Sequence, residues 1–591
     1  MIAKILTILL FSVMVVLSAI IPDSRLPIGG WNPGIDGGIP TTGYTQWCNV
    51  KVSIPGSALV AVGNGSVDDA PAIQAALDLV PSGSLIYVPA GIYVLSNTLA
   101  YTTGNAYPNR SNIVIRGDGP TSTLLHSYAA EGNVFEILHG SGSGAGTIEH
   151  LTSTNGNYKG MSNIVVGTLH GMYGGNADYL TNLVGNWVFI NIYQLGSHWG
   201  QWCNVIGYNL VTSNLNFWPP LWSQYPHADT NYPVSVSVSQ NPAYRFGIED
   251  LAIEQKISRT SHGFFFKGAI ECWLKNVDSK NIYNWNVRFE YATKCNVRDS
   301  YFHDTTWPGS CGGNSGYGVG TRTTSSHILT ENNIFKWLRH AMIAEGGSGN
   351  VWAYNYSTTT INEGQTGTDY VMADMDTHGL IASFNLFEGN IAQRLSFDNA
   401  EWWEGLGGIC NTAFRNWAQR IPYLDVSPAN TMSPMANQYQ NYSNNIVGNI
   451  LGNTGITFNA YFASQTNFLS GVFEKDWWKD SAQVPGVGDA EQWVIYTNVA
   501  APSLSLLYHQ NWDYWTGTNY VTEGVTGTLV NSYYLTEKPS WWGSGAWPPI
   551  GPDLSPMVSS IPAQVRFNGT GWQPPPPEII WRKIKLKLKD N

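Results

Sequence analysis

The sequence predicts an all-β parallel β-helix with a capping helix at its N-terminal end, and three observations carry this. One amphipathic helical segment near residue 70 is followed only by short strand-like runs. Between residues 248 and 451 those runs recur as GIEDLAIEQ, CWLKNVDSK, CNVRDSYFHD, LTENNIFKW, VWAYNYSTT, IASFNLFEGN, TAFRNWAQR and YSNNIVGN. Each is a short strand, a polar turn residue and a second apolar strand. Finally, Asn333, Asn355, Asn385, Asn416 and Asn445 fall at one register with steps of 22, 30, 31 and 29 residues. A β-helical coil needs roughly 20–30 residues. Asparagine tolerates the left-handed bend and can bond its amide to the next coil, ~4.8 Å away, so the pattern predicts an Asn ladder.

Composition agrees. A coil repeat can run through much of 591 residues as one unit. Charged residues are 12% of the chain, half of the usual ~25%, and 62 glycines serve many tight turns. The net charge of -11 leaves no basic face for phosphates and excludes nucleic acid as a partner. The 25 tryptophans either pack the coil or form flat platforms for sugar rings. The pairs Trp402–Trp403, Trp477–Trp478 and Trp541–Trp542, set among turn residues, are platform candidates.

Residues 1–21 read as a signal peptide, with Lys4, an apolar run from Ile5 to Val16 and a small residue for cleavage at Ala19. This predicts export to the extracellular space or cell surface, the alternative being an uncleaved anchor, for which the apolar run is near the lower length needed to span a bilayer. Residues 22–55 form a Gly/Pro-rich extension. The coil starts within 56–149. Asp68 and Asp69 cap a helix, Pro71 suits its first turn, and Ala72, Ile73, Ala76, Leu77 and Val80 share a face. Leu85–Val88, Ile92–Leu95 and Ile113–Ile115 follow as strands, parted by Pro89-Ala90-Gly91 and closed by Gly117-Asp118-Gly119. A helix laid across the open apolar end shields it, as terminal repeats must.

Residues 150–240 break the pattern and predict a β-rich insertion, either a flanking subdomain or a lid. The central rungs occupy 241–454. There Cys272 and Cys295 lie one repeat apart, as stacked free thiols or a disulfide, and the six cysteines match no zinc spacing. Residues 455–573 wrap the coil or cap its end. Residues 574–591 are a Pro linker and a tail, Ile584–Lys589, alternating apolar and basic. That tail is a frayed end, an anchor to an anionic surface, or a strand donated to a partner for self-assembly.

From Gly63 to Leu125, GNGSVDDAPAIQAAL, IYVPAGIYVL and IVIRGDGPTSTLL resemble the opening of the pectate-lyase-like superfamily. The resemblance implies a right-handed, single-stranded (pectin-lyase-like) coil. Further on, FGIEDLAIE, GNVWAYNYS, NLFEGN, YYLTEKPSWWG and IPAQVRF resemble a secreted branch of it, so the similarity spans residues 35–567. Hydrolases, lyases, epimerases and phage tailspikes share this opening, so it implies a fold and no particular reaction. Of the polygalacturonase motif set only Thr377-His378-Gly379 is present, and the Ca²⁺-binding aspartates and catalytic Arg of classical pectate lyases are not discernible.

A coil face stacks side chains in columns, so two carboxyls on neighbouring coils can form an acid pair at the ~5–5.5 Å of a retaining glycosidase, or two coils apart an inverting one. Counting three positions past the Asn ladder puts His303, Lys336, Thr358, Glu388 and Gln419 in one column. Nearby loops add Asp304, Arg339, Glu345, Glu401 and Glu404. The expected catalytic groups are Glu388, Asp398, Asp376, His378 and His340. The expected substrate contacts are Lys336, Arg394, His303, Trp402 and Trp403. The expectation is a secreted carbohydrate-active protein whose partner is a polysaccharide, cleaved as hydrolase or lyase by carboxylate and imidazole acid–base chemistry. The alternative is a non-catalytic structural, adhesive or filament-forming protein. No cofactor is required, and a Ca²⁺ ion on Asp376 and Asp398 is the candidate metal, although no contiguous Ca²⁺ loop exists.

Overall fold

The computed structural model describes residues 19–103, 110–139, 149–153, 159–170, 184–194, 197–222, 234–238, 242–258, 261–305, 315–322, 324–360, 372–398, 407–419, 434–437, 441, 443–453, 468–470, 473–475, 506–514, 517–522 and 524–569. The signal segment up to residue 18, Trp402, Trp403, Trp477, Trp478, Glu401, Glu404 and the tail 574–591 lie outside them.

The coil is a right-handed parallel β-helix with three strands per turn. One coil runs from His340–Glu345 through a bend to Val351–Ala353, through a second bend to Tyr356–Thr358, and then by a loop to Met375–His378 in the next coil. Equivalent strands pair in parallel, so His340–Glu345 bonds Met375–His378, Val351–Ala353 bonds Leu386–Glu388, and Tyr356 pairs with Ile391. Three sheets result, here called first, second and third. The first holds Val351–Ala353, the second Tyr356–Thr358 and the third His340–Glu345. One apolar core fills the interior from Val50 to Tyr508, with aromatic stacks such as Trp352 on Phe387 at 5.0 Å.

Both bends put a residue in the left-handed region and follow it with a ladder residue. At the first bend these are Arg245, Glu271, Lys294, His327, Phe384, Cys410 and Ser443. At the second they are Asp250, Asn276, Asp299, Asn332, Tyr354, Arg415 and Gln510. Two Asn ladders therefore run the coil. Asn333, Asn355, Asn390, Asn416, Asn449 and Asn511 pass Nδ2–H to Oδ1 at 2.9–3.1 Å along the second bend. Asn350, Asn385 and Asn411 do so at 3.0 and 3.2 Å along the first, where Asn411 N–H donates to Asn444. This corrects the single ladder expected from sequence. Asn385 belongs to the other bend, and Asn445 to neither, its amide donating to Thr412 Oγ1. The column counted from that ladder slips with it. His303, Lys336 and Thr358 are in register, but Glu388 stacks instead with Arg298, Glu331, Ala353 and Phe414.

Further towards the N-terminus the ladder position at the first bend holds Cys272 and Cys295, both buried free thiols. The helix Ala70–Leu79 turns Ala72, Ile73, Ala76 and Leu77 into the core and packs on Leu99–Thr102. Burying Ile73 and Leu77 fully stabilises this closure by ~1.5–3 kcal/mol each. Asp68 accepts from Ala70 N–H, while Asp69 turns back to the amides of Val62 and Gly63.

Between Phe135–Leu138 and the next coil the chain builds a closed antiparallel barrel of six strands, from Glu149–Ser153 to Val234–Val238. Its core of Ile164, Val188, Ile190, Val205 and Phe217 extends to Ile381 and Ile409, so the barrel sits against the first bend. The second bend is covered by both ends of the described chain. Ile20, Ile21 and Trp31 join Trp542, Ile550 and Ile561 over Tyr301, Val351, Tyr354 and Phe414. Ile20 and Ile21 thus belong to the packed layer, whereas hydropathy had merged them with the signal segment. Arg415, buried, clamps the wrap through two 2.8 Å bonds to Asp553 and bonds to the carbonyls of Val530 and Ile550.

Candidate functional site

The first two sheets are overlaid along the bends. The outer apolar residues of the third sheet, Trp285, Tyr317 and Ile343, form a cluster with no member from either covering layer among the described residues. On this face the strands repeat a triplet that ends in an ionisable residue, Arg288-Phe289-Glu290, Ile343-Ala344-Glu345, Asp376-Thr377-His378 and Ser396-Phe397-Asp398. The middle residue points into the core and its neighbours point out. Glu290, Arg322 and Glu345 are cross-strand neighbours, and His378 is the next position in their column, opposite Asp398. Opposite charges alternate along it, with Arg322 at 2.9 Å from Glu345 and His378 Nδ1 at 2.6 Å from Asp398 Oδ2.

Asp376 sits one row inward and is buried. Its Oδ2 lies 3.5 Å from His340 Nδ1, and its Oδ1 has no hydrogen-bond partner among the described residues. Burial, and then the charge of Asp398, push its carboxyl well above the usual carboxylate range. Both effects favour its protonated form. At His378 burial opposes the charge, but the hydrogen bond to Asp398 and the charges of Asp398, Asp376 and Glu345 raise it to about 10. His340 is driven well below its ordinary value, first by burial and then by the cations Arg339, His378 and Arg394. It stays neutral and donates Nδ1–H to Ala373 O at 2.7 Å. A carboxyl shifted towards protonation, an imidazole shifted towards its cation and an imidazole shifted towards neutrality thus lie side by side, and such divergence within one cluster marks acid–base chemistry.

Of the sequence candidates, Asp376, His378, Asp398, His340 and Arg394 come together here. Arg394 is buried and its charge acts on the carboxyls of Asp374 and Asp376. Glu388 does not join them. It lies on the first sheet beneath the C-terminal wrap, accepting from Tyr354 Oη at 2.8 Å and Tyr533 N–H at 2.9 Å. Its carboxyl anchors that layer, and burial raises it to about 7. His303 and Lys336 are on the second sheet. His303 is held between Asp278 and Asp304 at 2.9 and 2.8 Å, which raises it to about 9 against the cost of burial. Trp402 and Trp403 lie outside the described residues. Sequence reading missed Arg322, Glu290, Trp285 and Tyr317, the last two forming an aromatic row with His340 whose rings meet edge-on at 4.8 and 5.0 Å. The recurring triplet was the available signal.

Asp376, His378 and Asp398 each bring one donor atom within 4.8 Å of the others. Two carboxylates and an imidazole suit a zinc- or manganese-class ion better than Ca²⁺, which takes six to eight oxygens.

The family described as rhamnogalacturonase A/epimerase, pectate-lyase-like, matches residues 58–191, upstream of this site. No curated protein sequence matches the chain. Among solved structures the chain is similar to the tailspike protein gp49 of Pseudomonas phage LKA1 (16% identity, TM-score 0.47, covering 66% of this chain and 63% of that one). It is also similar to the gp54 tailspike of Acinetobacter baumannii bacteriophage AP22, solved with a capsular saccharide (12%, 0.40, 66% and 56%). A third is the catalytic unit of a GH87 alpha-1,3-glucanase from Streptomyces thermodiastaticus (10%, 0.36, 70% and 56%). The chain thus spans less than two thirds of each of these proteins. With three parallel sheets per coil and an N-terminal capping helix the fold is that of a parallel β-helix, and its residues 58–191 match a pectate-lyase-like family.

Proposed function

We propose that this is an exported, carbohydrate-active protein that cleaves a polysaccharide by hydrolysis on the outer face of the third sheet. The carrying observation is the Asp376–Asp398 pair, Asp376 buried beside Asp398 and shifted towards its protonated form, and Asp398 Oδ2 held at 2.6 Å from His378 Nδ1. In this reading Asp376 protonates the leaving glycosidic oxygen. Asp398, oriented by His378, attacks the sugar or activates water from the adjoining position. The separation of at most 4.8 Å between carboxyl oxygens suits the retaining course, where the two groups stand ~5–5.5 Å apart.

The test is product formation on neutral and uronic-acid polysaccharides, reading reducing ends and the absorbance of a new C=C bond together. Reducing ends without absorbance are expected, with no more than about a twofold change on adding Ca²⁺. Absorbance at the same rate as reducing ends would make the reaction a lyase's. Silence across the panel would remove the catalytic reading.

A further inference from the structure

A cavity of about 640 Å³ opens where the N-terminal extension, the six-stranded barrel and the first bend meet. It is separate from the third-sheet site. His327 follows the strand Tyr317–Arg322, two strands along the sheet from Met375–His378, which is ~10 Å along the axis. The left-handed bend residues Glu271, Lys294 and His327 form part of its wall. The barrel contributes Trp187, Trp218 and Trp222.

The charges in this wall cancel locally. Lys294, 1% exposed, is held by Asp36 at 2.6 Å and by Asn32 O at 3.0 Å. Glu271 is held by Arg245 at 2.7 Å. His327, its Nε2 at 3.1 Å from Trp202 O, is buried and neutral. The aromatic surface is not satisfied internally. Trp218 is 52% exposed beside Ile206 at 60%. Trp222 is buried, and its indole N–H has no acceptor among the described residues. Gly29 lets the extension pass Trp218, because a Cβ there would stand 3.2 Å from the indole. Flat aromatic faces, an unused buried donor, the amides of Asn186 and Asn204 and no net charge describe a site for a polar, uncharged ligand with apolar ring faces.

We propose that this cavity binds a neutral saccharide segment, as an accessory site apart from the cleavage centre. The proposal rests on the saccharide reading of the protein, not on cleavage. The experiment is isothermal titration of the full-length protein, carrying D376N and D398N to prevent turnover, with neutral and uronic-acid oligosaccharides. The expected result is binding of at least one neutral oligosaccharide, weakened tenfold or more by Trp218→Ala and partly restored by Trp218→Phe. Ile206→Asp, also at an exposed position, should weaken it similarly. Thermal melts confirm folding of each variant. Equal affinity in the parent and both rim variants overturns the proposal, as does absence of neutral-sugar binding. If binding is absent but the wild type still releases reducing ends, only the accessory site falls. If Trp218-dependent binding is found with no cleavage of any polysaccharide, the proposed reaction falls and the accessory site stands.

Discussion

At the scale of single residues, burial has opposite consequences for carboxyls with different neighbours. Asp376 is shifted towards its protonated form because it is desolvated beside another carboxylate. On the proposed reaction, Asp376→Asn and Asp398→Asn should each lower kcat by ~10²–10⁴-fold, read from reducing-end release at saturating substrate. Because the working form of Asp376 carries a proton, activity should fall on the alkaline side as that proton is lost, and the fall should be absent from the residual activity of D376N. Glu388 illustrates a carboxyl used structurally. Its folded value of about 7 lies above its ordinary 4.5, so the folded state binds the proton more tightly. Its share of stability is complete below pH ~4.5 and is lost as pH rises through about 7. Glu388→Gln should therefore match the wild type near pH 4 and exceed it at pH 8 by up to about 3 kcal/mol, read from denaturant midpoints.

At the scale of elements, the bends are the repeating device. Asn390 accepts from both the backbone N–H and Nδ2–H of Asn355 and donates to Trp352 O and Asn416 Oδ1. Asn390→Ala would strand several buried polar groups at ~1–3 kcal/mol each, so a loss of ~3 kcal/mol or more is expected. Asn445→Ala removes one bond to Thr412 and should cost about 1 kcal/mol. Equal losses at the two positions would contradict the ladder assignment. The sequence spacing contains the ladder twice over, because Asn350/Asn355, Asn385/Asn390, Asn411/Asn416 and Asn444/Asn449 are each five apart. Two bends per coil produce that pair. Which of the two a given Asn serves depends on strand register, and a one-coil count anchored on Asn385 moved Glu388 into the wrong column.

At the scale of the whole molecule, two covering layers lie along the bends. The wrap is tied through Arg415, whose guanidinium is buried against Asp553 and two carbonyls. Arg415→Met breaks a buried pair and should cost ~3–5 kcal/mol. Limited proteolysis should then cut first within 528–569, ahead of the coil. If the coil and wrap are cleaved together, the wrap is not a separable layer.

The sequence by itself determined the coil. Strand length, Asn and Gly at bends and the single capping helix are local features, and they recur at the length of one turn, so they are legible residue by residue. It also supplied Asp376, His378, Asp398 and His340, because charged residues are scarce enough in this chain for a cluster to stand out. Only the tertiary structure decided that these four share a face while Glu388, His303 and Lys336 lie on others, that residues 149–238 close into a barrel, and that a cavity forms where it meets the first bend. Those facts depend on which coil a strand pairs with and on contacts between segments hundreds of residues apart. Side-chain periodicity says which residues point outward, not what lies over them.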